Sequence, residues 1–204
     1  MVENTQYSDG KIRCGWVSGD PLLIEYHDEE WGVPLYDDLK LFEFLMLEGA
    51  QAGLNWILVL KKRENYRKAF SGFDPKIVAT YGEMEIMGLL ENPGIIRNRR
   101  KIEGAVGNAR LFLDIQEEFG SFAEYCWEFV NGKPVVNRWK DVSQIPKGTP
   151  ESDAFSKDLK SRGFKFTGPT IIYSFMQAVG MVNDHIEDCF RYCQLGGRGN
   201  PDLR

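Results

Sequence analysis

The chain has 204 residues, of which 43% are hydrophobic and 27% charged, a balance typical of a globular protein that excludes disorder for the bulk of the chain. No run approaches the roughly 18 consecutive apolar residues of a membrane span, and the polar start MVENTQYSDG does not resemble a signal peptide, so we expect a cytoplasmic protein without a membrane anchor. The formal net charge of −5 argues against a protein that coats nucleic acid nonspecifically, although it allows a local basic patch.

Apolar residues recur at helical spacing along most of the chain and hardly ever alternate, which predicts an all-α fold. We predict a short helix after Asp20-Pro21, a helix over residues 39–52 capped by Asp38, another opened by Asp74-Pro75, and a long helix over about 97–119.

Residues 131–150 carry three prolines and two glycines, which predicts a long surface connection between helical halves or, alternatively, a domain boundary. Helices are predicted to follow over about 150–163 and 169–180, opened by Thr149-Pro150 and Gly168-Pro169. We expect one domain over residues 13–194, flanked by flexible tails at 1–12 and 195–204.

The only two histidines of the chain each have a cysteine nearby, which gives the pairs Cys14 with His27 and His185 with Cys189. Asn183-Asp184 can cap a last helix, on which the four-residue spacing of His185 and Cys189 would place both side chains on one face. Two thiolates and two imidazoles suit a closed zinc site that joins the ends of the domain. The spacing alone leaves metal binding open: Cys193 can replace Cys189, and cobalt or iron would bind similar ligands.

The helix predicted after Asp38 contains one misplaced acid, Glu48. It shares an apolar stripe with residues seven, four and three positions before it, which are Leu41, Phe44 and Leu45. Lys40 and Glu43, in contrast, define the polar side of this helix. A buried, uncompensated carboxylate is costly, so the site should supply a partner, shift the pKa or use the charge. The alternative is a structural carboxylate that accepts hydrogen bonds from a neighbouring helix end or loop.

Aromatic residues are concentrated in the first third of the chain. Trp16, Trp31 and Trp56 lie there, and Tyr26 directly precedes His27. Such rings usually pack in a core, but a zinc ion on His27 would fix several of them around one spot. A carboxylate among stacked rings suits a flat, cationic heterocycle.

Basic residues form three clusters, which are Lys61, Lys62, Arg63, Arg67 and Lys68; Arg97, Arg99, Arg100 and Lys101; and Lys157, Lys160, Arg162 and Lys165. A solvated helix face explains each cluster singly. The three together leave phosphate binding and a solvated surface equally open.

Four segments closely resemble one family, the type I 3-methyladenine DNA glycosylases of the helix-hairpin-helix superfamily: RCGWVSGDPLLIEYHDEEWGVP, LFEFLMLEGAQAGLNWILVLKKRENYRKAF, NPGIIRNRRKIEGAVGNAR and SRGFKFTGPTIIYSFMQAVGMVNDHIEDC. They occur in the family's order and cover most of residues 13–189. The resemblance implies a helix-hairpin-helix glycosylase-like domain in which Cys14, His27, His185 and Cys189 hold a structural zinc ion. It also implies excision of 3-methyladenine from alkylated double-stranded DNA during base excision repair.

The family's base pocket maps onto five residues of this sequence, which are Trp16, Tyr26, Trp31, Glu48 and Trp56. The resemblance implies that Glu48 and Tyr26 hydrogen-bond the extruded base and that Trp56 and Trp16 stack on it. Leu23 occupies a position next to the pocket where related enzymes carry a tyrosine, so one wall is expected to be more apolar.

The resemblance also implies DNA contacts. Gly53 and Leu54 would enter the gap left by the extruded nucleotide, although a plain small-residue turn is the alternative. Lys165, Gly168 and Thr170 would bind phosphate at the hairpin. The hairpin match is imperfect because Phe166 stands where the first glycine is expected.

Many superfamily members carry a catalytic aspartate after the hairpin, and the corresponding stretch here reads Val182-Asn183-Asp184-His185. Asp184 is better placed to cap the helix of His185 than to replace that aspartate. A base methylated on its minor-groove ring nitrogen is already cationic and leaves without a general acid. No lysine occupies the position of the Schiff-base nucleophile of bifunctional relatives, so we expect a monofunctional hydrolase.

We expect a monomer that binds alkylated double-stranded DNA and releases free 3-methyladenine. Two other functions stay open: a damage-binding protein that holds modified bases without cutting, and a zinc-stabilised helical interaction domain. Glu48, Tyr26 and Trp56 favour the first two functions, because an interaction domain needs no acid in an aromatic pocket. Release of free base separates those two.

Overall fold

A computed structural model describes residues 7–198 of the chain. Within them, ten α-helices follow in order: α1 Pro21–Glu29, α2 Asp38–Gln51, α3 Trp56–Ala69, α4 Pro75–Val78, α5 Glu83–Glu91, α6 Arg99–Phe119, α7 Phe122–Glu128, α8 Pro150–Ser161, α9 Pro169–Ala178 and α10 Phe190–Gln194. A short parallel pair joins β1, Val135–Val136, to β2, Val182–Asn183. The predicted all-α class is confirmed. In this part of the chain, no helix combines the length and apolar character needed to cross a membrane.

Part of the expected N-terminal tail contacts the domain. The hydroxyl of Tyr7 donates to the carbonyl of Val17 at 2.7 Å, and the amide of Phe190 donates to the carbonyl of Ile12 at 3.1 Å. Residues 1–6 and 199–204 of the two expected tails lie outside the described residues.

Three helices start at the predicted residues. The side chains of Asp20, Asp74 and Thr149 accept hydrogen bonds from the first-turn amides of α1, α4 and α8, and a proline follows each of them. These caps satisfy amides that have no partner inside the helix, and the proline occupies a position where no amide is needed.

The start of α2 differs by one residue from the prediction. Asp37 is its cap and accepts from the amide of Lys40. Asp38 instead accepts from the amides of Phe122 and Ala123, at 2.8 and 2.9 Å. Asp38 therefore pairs the first two amides of α7, whose N-cap is Ser121, and fixes this helix against the start of α2.

Helix α2 lies at the centre of the domain, in contact with α3, α6, α7 and α9. Every residue from Leu41 to Ala50 is buried, so α2 has no polar side over this span. The prediction for Glu43 is wrong, because α3 covers it with two cations: Arg63 Nε donates to Glu43 Oε1 at 2.6 Å and Arg67 Nε at 3.0 Å.

Residues 131–149 form the predicted connection and are exposed or half-buried throughout. They lie along residues 181–187. Val135 donates to the carbonyl of Met181 at 3.0 Å, Asn137 to that of Asn183 at 3.2 Å, and Glu187 to that of Trp139 at 2.8 Å. The connection is thereby held beside His185.

The predicted last helix carrying His185 and Cys189 does not form. Asn183 belongs to β2, Ile186 forms a parallel β-bridge with Trp139, and α10 begins only at Phe190. The prediction failed because the connection pairs with this stretch on both sides of His185, at Val182–Asn183 and at Ile186.

Candidate functional site

The four predicted metal ligands converge although they share no helix. The ligand atoms of Cys14, His27, His185 and Cys189 all lie within 4.8 Å of one another, and all four side chains are buried. Cys189 Sγ lies 3.4 Å from both His27 Nε2 and His185 Nδ1, and Cys14 Sγ lies 3.5 Å from His185 Nδ1. Tetrahedral bonds of about 2.3 Å to sulfur and about 2.0 Å to nitrogen would separate such atoms by about 3.5 Å. Cys193 is exposed and lies outside this group.

Hydrogen bonds outside the cluster orient both imidazoles. His27 Nδ1 lies 2.8 Å from Asp28 Oδ1, and Arg13 Nη2 donates to Asp28 Oδ2 at 2.6 Å. His185 Nε2 lies 3.1 Å from the carbonyl oxygen of Trp31. These partners leave His27 Nε2 and His185 Nδ1 facing the two sulfurs, an arrangement that fixes the ring orientation of metal-binding histidines.

Burial and hydrogen bonding favour the metal-binding forms of two of the four ligands. Hydrogen bonding to Cys14 lowers the pKa of Cys189, and burial lowers the pKa of His185. Burial raises the pKa of Cys14 well above its usual value, so a metal ion would displace a proton from that thiol on binding. A thiolate and a neutral imidazole are the forms that coordinate metals. The Cys2His2 cluster can therefore hold a metal ion.

A cavity of about 470 Å³ lies beside this cluster. The centroid of the Trp16 ring is 5.4 Å from that of His27, and the centroid of Trp31 is 4.6 Å from that of His185, so both indoles contact the cluster as well as the cavity. Leu23 is buried in the core and is not among the residues that line this cavity. All five residues predicted for the base pocket do line it: Trp16, Tyr26, Trp31, Glu48 and Trp56.

The carboxyl group of Glu48 is enclosed and incompletely hydrogen-bonded. Its side chain is on the cavity side of α2, only 4% of the residue is exposed, and Oε2 has no partner within residues 7–198. Burial raises the pKa of Glu48 to about 8 because the charged form loses its hydration. Burial, with a further contribution from Glu48, also raises the pKa of Tyr26 well above its usual value, so its phenol keeps its proton.

Two indole groups of the cavity also contain a buried polar atom without a hydrogen-bond partner. The Nε1 atoms of Trp16 and Trp56 are buried and have no hydrogen-bond partner among the described residues. Buried polar atoms in proteins are nearly always paired. Two donors and one carboxyl oxygen of residues that line the cavity are therefore unpaired.

The opposite wall of the cavity was not predicted. It includes Tyr173 and Gln177, one turn apart on α9, and Lys147 from the connection. Their four-residue spacing places Tyr173 and Gln177 on one helix face, which was a usable signal. The approach of Lys147 depends on the path of the connection and had no local signal.

A buried carboxylate, Asp184, holds that wall together. It accepts hydrogen bonds from Tyr173 Oη at 2.6 Å and Gln177 Nε2 at 2.8 Å on α9. It also accepts hydrogen bonds from two residues of the connection, Asn137 Nδ2 at 2.7 Å and Trp139 Nε1 at 2.8 Å. Asp184 is 0% exposed. The prediction that Asp184 caps a helix is wrong, because its oxygens are occupied by these four donors.

The turn between α2 and α3, residues 52–55, lies next to the cavity. Gly53 has a φ of +76°, which glycine adopts without strain, and Leu54 is 41% exposed. A smaller cavity of about 130 Å³ is lined by both residues together with Glu48 and, across from them, Thr170 of α9. The exposed leucine therefore lies at the same opening as the buried acid.

The turn between α8 and α9, residues 162–168, contains a left-handed residue. Phe166 has a φ of +57° at the position where the sequence resemblance expects glycine, so the backbone conformation is glycine-like without the glycine. Asn108 of α6 fixes the turn: its Nδ2 donates to the carbonyl of Lys165 at 2.9 Å, and its Oδ1 accepts from the amide of Lys165 at 2.8 Å. Gly168 precedes α9 and supplies no side-chain cap, which leaves first-turn amides available to an anion.

Many cations of the three basic clusters are paired inside the fold. Carboxylates bind five of them: Lys61, Arg63, Arg67, Arg99 and Arg162. Lys101 donates to backbone carbonyls. Two others, Arg100 and Lys165, line one groove beside the α8–α9 turn. Most of the first cluster is thus structural, and the positive surface near the site comes from the second and third.

The sequence matches known proteins over nearly its whole length. The family described as methyladenine glycosylase matches residues 16–192. DNA-3-methyladenine glycosylase 1 of Escherichia coli (strain K12) is 56% identical over 180 residues, which cover 88% of this chain and 96% of that protein. DNA-3-methyladenine glycosylase of Haemophilus influenzae is 49% identical over 177 residues, which cover 87% and 96% of the two chains.

Solved structures agree with the sequence match. The crystal structure of a 3-methyladenine DNA glycosylase I superposes with a TM-score of 0.85 at 56% identity, over 87% of this chain and 98% of that one. A variant of 3-methyladenine DNA glycosylase I in complex with 3-methyladenine superposes with a TM-score of 0.86 at 38% identity, over 92% and 99% of the two chains. The family resemblance noted in the sequence is confirmed, and the chain belongs to the methyladenine glycosylase family.

Proposed function

We propose that this protein is a monofunctional DNA glycosylase that extrudes 3-methyladenine from alkylated double-stranded DNA and hydrolyses its bond to the sugar, as part of base excision repair. The observation that carries the proposal is the enclosed carboxyl group of Glu48, with Oε2 unpartnered, inside an aromatic cavity. Relatives that are named for this activity support it. We infer that residues 13–194 are the catalytic unit and that the protein works as a monomer in the cytoplasm.

The cavity suits a flat cation. A methylated adenine would stack on the indoles of Trp16 and Trp56, while Glu48 and the phenol of Tyr26 would hydrogen-bond its edge. A cationic base would favour the charged form of Glu48 and so lower a pKa that burial alone raises to about 8. An ordinary purine carries no such charge and would leave the carboxyl group uncompensated. Recognition thus selects for the same charge that makes the base a good leaving group.

The chemical step needs little beyond this recognition. When the bond between C1′ of the sugar and the base nitrogen breaks, both electrons go to the cationic base, which leaves as neutral 3-methyladenine. Positive charge then develops on the sugar, and the Glu48 carboxylate stabilises it. Water adds its oxygen to C1′ and releases a proton. Asp184 does not activate this water, since four donors already occupy its oxygens.

The monofunctional assignment has its own test because Lys147 lines the cavity. A lysine that attacked C1′ would form a Schiff base, and borohydride would trap it as a covalent adduct with DNA. We expect no trapped adduct. An adduct lost in Lys147→Met would instead assign a strand-cleaving activity to this residue.

The DNA is held on both sides of the cavity. Leu54, with Gly53 allowing the turn, would fill the gap left by the extruded nucleotide. Lys165, Gly168 and Thr170 would bind phosphate as a helix-hairpin-helix anchor, in which the first amides of α9 donate to the phosphate oxygens. The exposure of Leu54 and the uncapped start of α9 support these roles.

The cluster of Cys14, His27, His185 and Cys189 would hold a structural zinc ion. Four protein ligands leave no open position for catalysis, and the ion would join residues near both ends of the domain. It would also fix Trp16 and Trp31, whose rings contact the ligands. Elemental analysis is expected to find one zinc per chain and to find it lost in Cys189→Ser.

Release of free 3-methyladenine from alkylated duplex DNA tests the main proposal, with wild type compared with Glu48→Gln at equal zinc content and matched folding. We expect release by the wild type and a rate reduced more than about 100-fold in the variant, the range seen when a key electrostatic stabiliser is removed. A folded wild type that binds alkylated DNA without releasing base would instead be a damage-binding protein. A variant as active as wild type would remove Glu48 from the mechanism.

A further inference from the structure

One face of α6 touches both elements that the proposed function assigns to DNA. Lys101, Gly104 and Asn108 follow at intervals of three and four residues, which places them on one side of the helix. Lys101 contacts the end of α2 at the α2–α3 turn, Gly104 contacts Phe166, and Asn108 holds Lys165. The two turns therefore share one support.

Lys101 binds the end of the helix that carries Glu48. Its Nζ donates to the carbonyl of Ala50 at 2.8 Å and to the carbonyl of Ala52 at 2.7 Å. Carbonyls at a helix C-terminus lack partners within the helix, and a cation there is stabilised by the helix dipole. Ala52 is two residues before Leu54, so the lysine fixes the path of the chain into the exposed leucine.

Phe166 links the second turn to the same support. A Cβ added at Gly104 would lie 3.1 Å from its ring, and one added at Gly49 of α2 would lie 3.4 Å from its Cβ. The side chain thus packs closely against α6 and α2 where both lack a side chain. Because Asn108 makes two hydrogen bonds to the neighbouring Lys165 backbone, this turn has little freedom to move relative to α6.

We propose that this face of α6 sets the position of Leu54 relative to the phosphate-binding turn, and that Lys101 is a positioning residue for base extrusion. The inference rests on the proposed glycosylase function. It separates Lys101 from phosphate binding, which the basic cluster suggested, because the Lys101 ammonium group already donates to two backbone carbonyls. Lys101 acts through Leu54 on the opened duplex and leaves recognition of the free base unchanged.

A double-mutant cycle between Lys101→Met and Leu54→Ala tests this inference, with single-turnover excision from duplex DNA as the measurement. Methionine keeps an unbranched stem of similar length and removes the donors. We expect Lys101→Met to reduce the rate ~10-fold in the wild-type background and less than ~2-fold in the Leu54→Ala background, since residues that act through one another are not additive. Lys76→Met removes an equally positive charge from an exposed position of α4, outside the three basic clusters, and should change neither rate.

Two further measurements identify the step that is affected. The affinity for free 3-methyladenine, followed by tryptophan fluorescence, should change less than ~2-fold in Lys101→Met, and excision from single-stranded DNA should fall less than excision from duplex, because no partner strand has to be opened. The slope of log affinity for duplex against log salt should stay at the wild-type value, whereas loss of a phosphate contact would reduce it by about one.

Additive effects in the cycle, a matching loss of free-base affinity or a reduced salt slope would each overturn the inference. If Lys101→Met fails to fold, Lys101→Gln replaces it in the cycle: its shorter, uncharged side chain cannot reproduce both hydrogen bonds to Ala50 and Ala52, so a smaller rate reduction with the same non-additivity is expected. A wild type that releases no base from either DNA would contradict the proposed function itself, so the two failures are distinguishable.

Discussion

Two buried carboxyl groups near the same cavity, Glu48 and Asp184, are in opposite hydrogen-bonding states. Asp184 is 0% exposed and accepts from four side-chain donors. Glu48 is 4% exposed, and its Oε2 has no partner in the described chain. A satisfied buried carboxylate stabilises the elements that donate to it, whereas an unsatisfied one destabilises the free protein. The contrast separates the wall that maintains the cavity from the group that the ligand must complete.

The tryptophans follow the same division. Trp139 Nε1 donates to Asp184 at 2.8 Å, while the Nε1 atoms of Trp16 and Trp56 have no partner within residues 7–198. All three indoles are half-buried, so exposure does not explain the difference. The unpaired groups lie on the side of Glu48, and the paired one holds the connection against α9. The unpaired groups of residues that line the cavity thus lie together on the side of Glu48, where we expect the base to bind.

The largest expected effect on stability comes from Asp184→Asn. The amide would present two hydrogens and a single acceptor oxygen to four converging donors, so buried groups in two elements would lose their partner. We expect the free energy of unfolding to fall by about 3 kcal/mol, in the range for breaking a buried charged network, as measured by urea denaturation at matched zinc content. A loss below about 1 kcal/mol would mean that this wall is held by other contacts and that the contrast with Glu48 is smaller than the structure indicates.

Glu48→Gln is expected to increase the free energy of unfolding at alkaline pH, in contrast to the decrease expected for Asp184→Asn. Burial raises the pKa of Glu48 from 4.5 to about 8 in the folded protein, so between these values the folded state keeps a proton that the unfolded state has released. The free energy of unfolding of wild type therefore decreases as pH rises from about 5 to 8. Glutamine cannot lose a proton, and the variant should gain on the order of 2 kcal/mol over wild type across this interval, since one pKa unit corresponds to about 1.36 kcal/mol and relaxation removes part of the shift.

Denaturation of both proteins at pH 5 and pH 8 measures this difference, because all other titrating groups are shared. Parallel changes in the two proteins would show that Glu48 is hydrated or paired in solution. The cavity would then contain no unpaired carboxyl group for a bound base to hydrogen-bond.

Local sequence pattern was sufficient where a residue's role depends on its own helix. The burial of Glu48 followed from its apolar stripe on α2, and the caps at Asp20, Asp74 and Thr149 followed from residue type. The four cluster residues were found from their chemistry, but for a partly wrong reason. His185 and Cys189 come together through turns after β2 and not through one helix face.

Roles that depend on the approach of distant segments were not predictable. Glu43 lies on the expected polar side of α2 and is buried only because Arg63 and Arg67 of α3 cover it. Lys101 belongs to a basic cluster, yet it donates to carbonyls about fifty residues earlier in the chain. The network of Asp184 likewise joins segments that no local pattern relates. Such contacts arise from tertiary packing, which a single sequence does not display.

The smallest expected effect on stability concerns two half-buried tryptophans, Trp139 and Trp56. Because Trp139→Phe and Trp56→Phe remove the same atoms, they compare a paired indole donor directly with an unpaired one. Trp139→Phe removes a paired donor from Asp184 and should cost about 1 kcal/mol more in unfolding free energy than Trp56→Phe, the usual contribution of one hydrogen bond. Affinity for free 3-methyladenine should show the reverse order: weakened in Trp56→Phe, because a phenyl ring offers the base a smaller stacking surface than the indole that lines the cavity, and close to wild type in Trp139→Phe. Urea denaturation and fluorescence titration of the two variants supply both values. Equal unfolding free energies would remove the distinction between paired and unpaired indoles, whereas equal affinities would show that the Trp56 indole does not contribute to binding the base.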